Sequence, residues 1–163
     1  MSDTSTKESR TASEQAELEV AIRDLFEHKI VFNEYLGFTM GEYSPGSVSI
    51  TFEMRPELIG HFMHGRLHGG VISSVLDAAG GLAVIWAIAE LYATESAEQI
   101  LERFRMIATI DIRIDYLRPG IGEKFIADAS VVRLGRRIAA TQAVLRSDSG
   151  REIASANGAY IVS

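Results

Sequence analysis

Apolar side chains recur at helical spacing near the start of the chain. The apolar face that they form consists of Leu18, Ala21, Ile22, Leu25 and Phe26. Because these positions fall about one turn apart, they predict an amphipathic helix over residues 16–29. Residues 1–15 are rich in Ser, Thr and Glu and contain no apolar run. We therefore expect a disordered N-terminal segment that is neither a secretory signal nor a membrane anchor.

A long apolar segment covers residues 67–89. Its only ionisable side chains are His68 and Asp77, and four glycines lie within it. The segment is long enough to cross a bilayer, but a carboxylate near the middle of the membrane would cost about 2.5–3.5 kcal/mol or more. We therefore predict a helix that opens on His68-Gly69-Gly70 and is buried within protein, and no membrane span.

Elsewhere, apolar and polar residues alternate as they do in β-strands. The alternation is clearest over residues 110–116, where isoleucines are separated by Asp and Arg. Turn-forming sequences separate the other predicted strands. These strands cover residues 36–43, 48–54, 124–133, 138–147 and 152–162. Residues 55–60 suit a helical turn, residues 61–67 a loop and residues 95–105 a further short helix.

These elements predict one α+β domain over residues 16–163, with about six antiparallel strands around one very apolar helix. A curved sheet covers only part of such a helix, and an apolar helix needs protein on every side. The simplest cover for the remainder is a second copy of the chain across a two-fold axis. We expect a homodimer, or a dimer of such dimers.

Composition narrows the classes of function. The chain of 163 residues has no cysteine, which excludes disulfides, thiolate metal sites and a catalytic thiol and agrees with a cytoplasmic location. Its net charge of −6 argues against a nucleic-acid-binding surface, which needs a dense basic face. The single helix predicted before residue 36 is also too little for a helix-turn-helix.

Asp77 is the first candidate for chemistry, because it is the only acid between Glu57 and Glu90. A buried carboxylate is costly unless it is paired or used. Asp77 either bonds to backbone or to the nearby Ser73, or it serves as a general base or nucleophile. Gly69 and Gly70 at the helix start either permit tight packing or offer amides that hold an oxyanion.

The distance between these groups constrains the site. Asp77 lies about eight residues beyond the glycine pair, or roughly 12 Å along the helix axis. One reacting carbonyl cannot lie within about 3 Å of both groups if they belong to one chain. If both serve one reaction, Asp77 must therefore act with Gly70 of a second subunit.

Two further clusters carry candidate binding residues. His61, His64 and His68 have a spacing that suits zinc on a helix, but the intervening glycines make a regular helix improbable and no fourth ligand is adjacent. We therefore expect no metal and no cofactor, and predict that His68 orients a substrate or stabilises its loop.

The second cluster is a turn in an otherwise acidic chain. Its guanidinium groups are those of Arg133, Arg136 and Arg137. They form either a solvated hairpin end or a phosphate-binding site.

Two motifs resemble those of a known family. Residues 65–72, Gly-Arg-Leu-His-Gly-Gly-Val-Ile, followed by Leu76-Asp77, look like the phenylacetate-type branch of the hotdog-fold thioesterases. Residues 109–119 look like the third strand of that family. The resemblance covers about residues 36–162. It extends to the bacterial branch of medium- and long-chain acyl-CoA thioesterases.

The resemblance implies a hotdog fold, with an antiparallel sheet wrapped around one central helix and an extra helix at the N-terminus. It implies hydrolysis of acyl-CoA thioesters, with Asp77 as base or nucleophile and the Gly70 amide as oxyanion donor. His68 would lie near the thioester, beside Gly69 and Ser73. The Thr109 hydroxyl would position the attacking water. The arginine turn would contact the phosphates of CoA.

The sequence departs from the family at Phe62, where many relatives carry Asn. His61 and His64 are candidates to replace the contact of that Asn and to bind substrate. Strand parity groups Thr109 with Asp111 and Arg113, away from the isoleucine face, so its role requires a bulge or the dimer edge. The alternative function is a non-catalytic acyl-CoA sensor. A hydratase is disfavoured because the long helix lacks a catalytic His.

Overall fold

The computed structural model describes residues 9–163 of the chain. Four α-helices are present in this range: α1 (Ala12–Asp24), α2 (Val31–Leu36), α3 (Gly69–Leu91) and α4 (Ala97–Phe104). A π-helical turn covers Leu25–Lys29 and a 3-10 turn covers Pro56–Leu58. The first four strands are β1 (Thr39–Ser44), β2 (Ser47–Glu53), β3 (Ile59–His61) and β4 (Arg66–Leu67). The last four are β5 (Ala108–Tyr116), β6 (Lys124–Leu134), β7 (Ile138–Ser147) and β8 (Glu152–Ile161).

The N-terminal helix begins earlier than its apolar pattern predicts. The Thr11 hydroxyl accepts a hydrogen bond from the Glu14 amide, and the Glu14 carboxylate accepts one from the Thr11 amide. This capping box starts α1 at Ala12. The predicted boundary of disorder at residue 15 is therefore too late. The rest of that segment, residues 1–8, lies outside the described residues.

The helix predicted over residues 16–29 also continues further than expected. After the π-helical turn, α2 carries the chain to Leu36, and Gly37 ends it in the left-handed conformation at φ 73°. Strand β1 therefore begins at Thr39, and the prediction of a strand from Leu36 is wrong at its first three residues.

The six long strands form one antiparallel sheet in the order β1-β2-β6-β7-β8-β5. Helix α3 packs against the buried face of this sheet, where Phe125, Leu145 and Ile153 are fully buried. The predicted strands over residues 124–162 agree with β6, β7 and β8 to within one residue. The predicted loop at residues 61–67 instead contains part of the small β3-β4 hairpin. The arrangement is the hotdog fold with an added N-terminal helix.

Helix α3 is apolar enough to span a membrane by length and composition, but it serves as the core of this fold. In its most apolar 18-residue stretch, 72% of the residues are buried. The sheet does not cover one stripe of small or polar side chains. This partly exposed stripe consists of Gly70, Ser73, Ser74, Asp77, Ala78 and Gly81. The carboxylate therefore lies on the one face of α3 that its own chain leaves open.

Arg10 caps the C-terminal end of α3. Its guanidinium donates hydrogen bonds to the carbonyls of Tyr92 and Glu95, each at 2.9 Å, and to that of Ala89. We expect Arg10→Ala to lower the free energy of unfolding by about 1–2 kcal/mol, because charge-assisted bonds to helix-terminal carbonyls are lost. Urea denaturation measures this change. Arg10→Lys keeps the positive charge but lacks the branched guanidinium, so its urea midpoint should lie between those of the wild-type protein and Arg10→Ala. An Arg10→Ala midpoint equal to that of the wild type would contradict the capping role.

Candidate functional site

The Asp77 carboxylate is held through one of its two oxygens. The Thr109 hydroxyl donates to Oδ1 at 2.9 Å, and the Tyr160 hydroxyl lies 3.2 Å from the same oxygen. Tyr160 also donates to the backbone carbonyl of Asp77 at 3.0 Å. Among residues 9–163, no side chain or amide donates to Oδ2. The carboxylate is thus oriented through Oδ1, and Oδ2 remains available to a water molecule or an electrophile.

A β-bulge brings Thr109 to this position. Thr109 pairs with Tyr160 and Asp111 pairs with Ala159, so Ile110 is the extra residue on β5. The bulge reverses the parity of the strand and turns Thr109 toward α3, while Ile110 is 54% exposed. Of the two explanations considered for Thr109, a bulge or the dimer edge, the structure shows the bulge.

A cavity of about 300 Å³ opens beside Asp77. Its apolar lining comes from the π-helical turn, α2, α3, α4 and the start of β5. These apolar residues are Leu25, Phe26, Ile30, Phe32, Ala78, Leu82, Ile85, Phe104, Ile107 and Ala108. Asp77, Thr109 and Tyr160 supply polar atoms at its wall. A mainly apolar cavity with a few convergent polar groups is the usual form of a small-molecule site.

The start of α3 carries the second predicted group. The Gly70 amide donates a hydrogen bond to Nδ1 of His68 at 2.9 Å, so His68 is the N-cap of the helix. The hydroxyls of Ser73 and Ser74 donate to the Gly70 carbonyl. Ser73 is thus directed away from Asp77, and the alternative in which it satisfies that carboxylate is wrong.

Gly70 and Asp77 share the exposed stripe of α3 but do not converge. They are seven residues apart on one regular helix, which is about 10 Å along the axis. Within a single chain, the carboxylate and the helix N-terminus therefore lie at separate places, as the sequence spacing predicts.

The other predicted histidines lie apart from Asp77. The rings of His61 and His64 stack with centroids 4.7 Å apart in the β3-β4 hairpin. Phe62, at the position of the family Asn, is 89% exposed. No three acidic or histidine side chains in the described part of the chain lie close enough together to hold a metal ion.

The predicted arginines lie at the end of the β6-β7 hairpin and are all exposed. Within residues 9–163, none of Arg133, Arg136 and Arg137 forms an ion pair. Ala139, two residues beyond Arg137, pairs with Tyr160, which in turn pairs with Thr109. The arginine hairpin is therefore at the same end of the sheet as the Asp77 cluster.

Comparison with known proteins identifies the family. A model of the thioesterase superfamily matches residues 64–154. A protein of Escherichia coli named medium/long-chain acyl-CoA thioesterase YigI is 35% identical over 141 residues, which are 86% of this chain and 91% of the relative. The chain belongs to the thioesterase superfamily. The matched segment contains both Asp77 and the helix start.

Solved structures of this superfamily have the same architecture. A Shewanella oneidensis protein related to the thioesterase superfamily superposes with a TM-score of 0.85 at 35% identity, covering 91% of this chain and 97% of the other. A thioesterase family protein of Silicibacter pomeroyi gives a TM-score of 0.68 at 26% identity, covering 88% and 96%.

Sequence reasoning about this thioesterase-superfamily chain missed two features. Tyr160 was not singled out, because it lies 83 residues from Asp77 and only the strand register brings them together. The second feature is the cavity beside the π-helical turn, which no sequence pattern marks.

Proposed function

We propose that this protein hydrolyses acyl-CoA thioesters to a free acid and CoA. The observation that carries the proposal is the Asp77 carboxylate, which is anchored through Oδ1 beside an apolar cavity with Oδ2 unoccupied by any described donor. Membership of the thioesterase superfamily and the named activity of the Escherichia coli relative support the same reaction.

In the proposed reaction, Oδ2 of Asp77 takes a proton from water as the water oxygen attacks the thioester carbonyl. Alternatively, Oδ2 itself attacks and forms an anhydride that water then opens. In both routes the carbon–sulfur bond breaks and CoA leaves as a thiolate. The proton that water loses, first taken up by Asp77 in the base route, converts the thiolate to the thiol. The Thr109 hydroxyl donates to Asp77, so we assign it to orientation of the carboxylate and, through its lone pairs, of the water.

We propose that the Gly70 amide holds the carbonyl oxygen as negative charge develops on it. In the free protein this amide is bonded to His68 Nδ1. The incoming carbonyl therefore has to replace His68 as the acceptor. A displaced His68 ring would lie beside the thioester, together with Gly69, which agrees with the binding role predicted for it.

Because Gly70 and Asp77 are about 10 Å apart in one chain, we propose that each site combines Asp77 of one subunit with Gly70 of another. The edge strand β5 leaves one row of backbone groups without a partner strand among residues 9–163, and such edges are usually paired or covered. A homodimer, alone or as a dimer of dimers, would pair this edge. His61 and His64 would then meet the substrate from the partner side. A cytoplasmic location belongs to the same proposal.

The apolar cavity beside Asp77 is the proposed site of the acyl chain. Its lining and its volume of about 300 Å³ suit a flexible hydrocarbon chain rather than a charged acyl group. The name of the Escherichia coli relative supports medium or long chains.

A thiol-release assay over acyl-CoAs from two to sixteen carbons tests the proposal. We expect turnover that rises with chain length into the medium range. Tight binding of acyl-CoA without release of thiol would instead indicate a sensor, and absence of both binding and turnover would exclude the proposed substrate class.

Gly81 offers a test of the acyl site, because it lines the cavity and a Cβ there would meet only Tyr160 Cε1, at 3.9 Å. We expect Gly81→Leu to fill the cavity and reduce kcat/KM for dodecanoyl-CoA about tenfold or more, with little effect on acetyl-CoA. Gly81→Ala is the matched control and should retain the profile. Equal losses on both substrates would contradict an acyl site here.

Arg136 and Arg137 are proposed to bind CoA phosphates. We expect Arg136→Ala/Arg137→Ala to raise KM for acyl-CoA several-fold, because charge-assisted bonds to phosphate are lost. The matching acyl-N-acetylcysteamine thioester lacks phosphates, so its KM should not change. Arg151→Ala, at the opposite turn, controls for loss of positive charge. A similar rise of KM for both substrates would refute the phosphate contact.

A further inference from the structure

We infer that Tyr160 is a positioning residue for the Asp77 carboxylate, an inference that rests on the proposed function. The Tyr160 hydroxyl holds Oδ1 of Asp77, so that Oδ2 of Asp77 faces the reacting water or carbonyl. Tyr160 is 2% exposed and lies on β8, whose register places it opposite Thr109. The two residues approach the carboxylate from adjacent strands.

The Tyr160 hydroxyl bridges two acceptors of one residue. It lies 3.0 Å from the Asp77 carbonyl oxygen and 3.2 Å from Oδ1. The contact therefore fixes the side chain of Asp77 relative to its own backbone. Thr109, at 2.9 Å, holds the same Oδ1 from the other side. With both hydroxyls on Oδ1, rotation of the carboxylate about its Cβ–Cγ bond would break two hydrogen bonds.

Two glycines make room for this phenol. A Cβ at Gly80 on α3 would overlap the Tyr160 hydroxyl, and a Cβ at Gly158 on β8 would lie 2.8 Å from Tyr160 Cε2. A glycine in the interior of a helix or strand is less favourable than an alanine. Both elements therefore contain an unfavourable residue at the point where the phenol passes between them.

The protonation state of Tyr160 suits a donor. Burial, together with the adjacent Asp77 carboxylate, raises the pKa of the Tyr160 phenol well above its usual range. The hydroxyl thus keeps its proton throughout the pH range in which thioesterases are assayed. A phenylalanine would fill the same space, so packing alone does not account for the hydroxyl.

Tyr160→Phe tests the inference, because it removes only the hydroxyl. We expect kcat to fall about tenfold to a hundredfold with KM within twofold, because an interaction that orients the reacting group is lost. Tyr43→Phe is the matched control: its hydroxyl bonds to Glu19 at 3.1 Å, away from Asp77, and both parameters should stay unchanged.

A second variant reaches the same contact from α3. Gly80→Ala keeps the hydroxyl but displaces it from Asp77, and we expect the same fall in kcat with KM little changed. If Asp77→Asn is inactive while Tyr160→Phe keeps the wild-type kcat, the inference is wrong and the proposed function stands. If the wild-type protein hydrolyses no thioester, the proposed function fails and this inference fails with it.

Discussion

Asp77→Asn is expected to lower kcat/KM for acyl-CoA by about a thousandfold or more, because removal of a general base usually costs about a hundredfold to ten-thousandfold in rate. Asparagine has the same shape, and its Oδ1 still accepts hydrogen bonds from the hydroxyls of Thr109 and Tyr160. The substituted group at the free position is an NH2, which neither takes a proton from water nor attacks a carbonyl. The loss should therefore fall on kcat, with KM little changed.

The variant is assayed by thiol release, and its fold by its urea midpoint. Asp111→Asn is the matched control, because Asp111 is exposed and lies on the same strand just beyond the bulge at Ile110. It should retain wild-type kinetics. Full activity of Asp77→Asn would remove the carboxylate from the mechanism and leave the family fold without its proposed catalytic group.

A single turnover in 18O-labelled water detects the nucleophilic route wherever water opens the anhydride at the Asp77 carbonyl. If the carboxylate is a base, the label enters only the product acid. If it is a nucleophile, a covalent anhydride forms first, and hydrolysis at the protein carbonyl introduces 18O into Asp77 itself. Mass spectrometry of the peptide that contains Asp77 detects this incorporation.

The parts of the fold with regular patterns were predictable from sequence. Strands β6, β7 and β8 lie between clear turns, and β7 alternates buried and more exposed residues throughout, so their bounds were predicted to within about a residue. Helix α3 was predictable because its apolar length has few alternatives in a chain of this size. The N-terminus was harder. Its cap depends on Thr11 and Glu14, which lie in a segment that composition alone marks as disordered.

Local sequence pattern predicted the helix of the candidate site; Thr109 was expected only through the family resemblance, and Tyr160 was not expected. The carboxylate and the glycines are neighbours in sequence, so one helix geometry relates them. Thr109 and Tyr160 reach Asp77 through a bulge and a strand register, which no local pattern encodes. The sequence shows glycines at positions 80 and 158, but only the structure shows that both make room for the Tyr160 phenol.

Mixed dimers are expected to recover activity that neither parent has. One chain carries Asp77→Asn and the other carries Gly70→Leu, whose side chain would displace His68 and obstruct the helix start, since even a Cβ there lies 2.9 Å from His68 Nδ1. If Asp77 of one subunit acts with Gly70 of the other, a mixed dimer has one site with both defects and one site with none. Its activity should be about half that of the wild-type dimer.

Co-expression with two different affinity tags and sequential purification isolates the mixed dimer, and each parent homodimer serves as its control. Both parents should be inactive, because every site in them has one defect. If Asp77 and Gly70 of the same chain formed the site, each site of the mixed dimer would also carry one defect, and the mixture would be as inactive as its parents. Recovery therefore distinguishes a shared site from two independent ones, and it requires the roughly 10 Å separation along α3 to be bridged by a second chain.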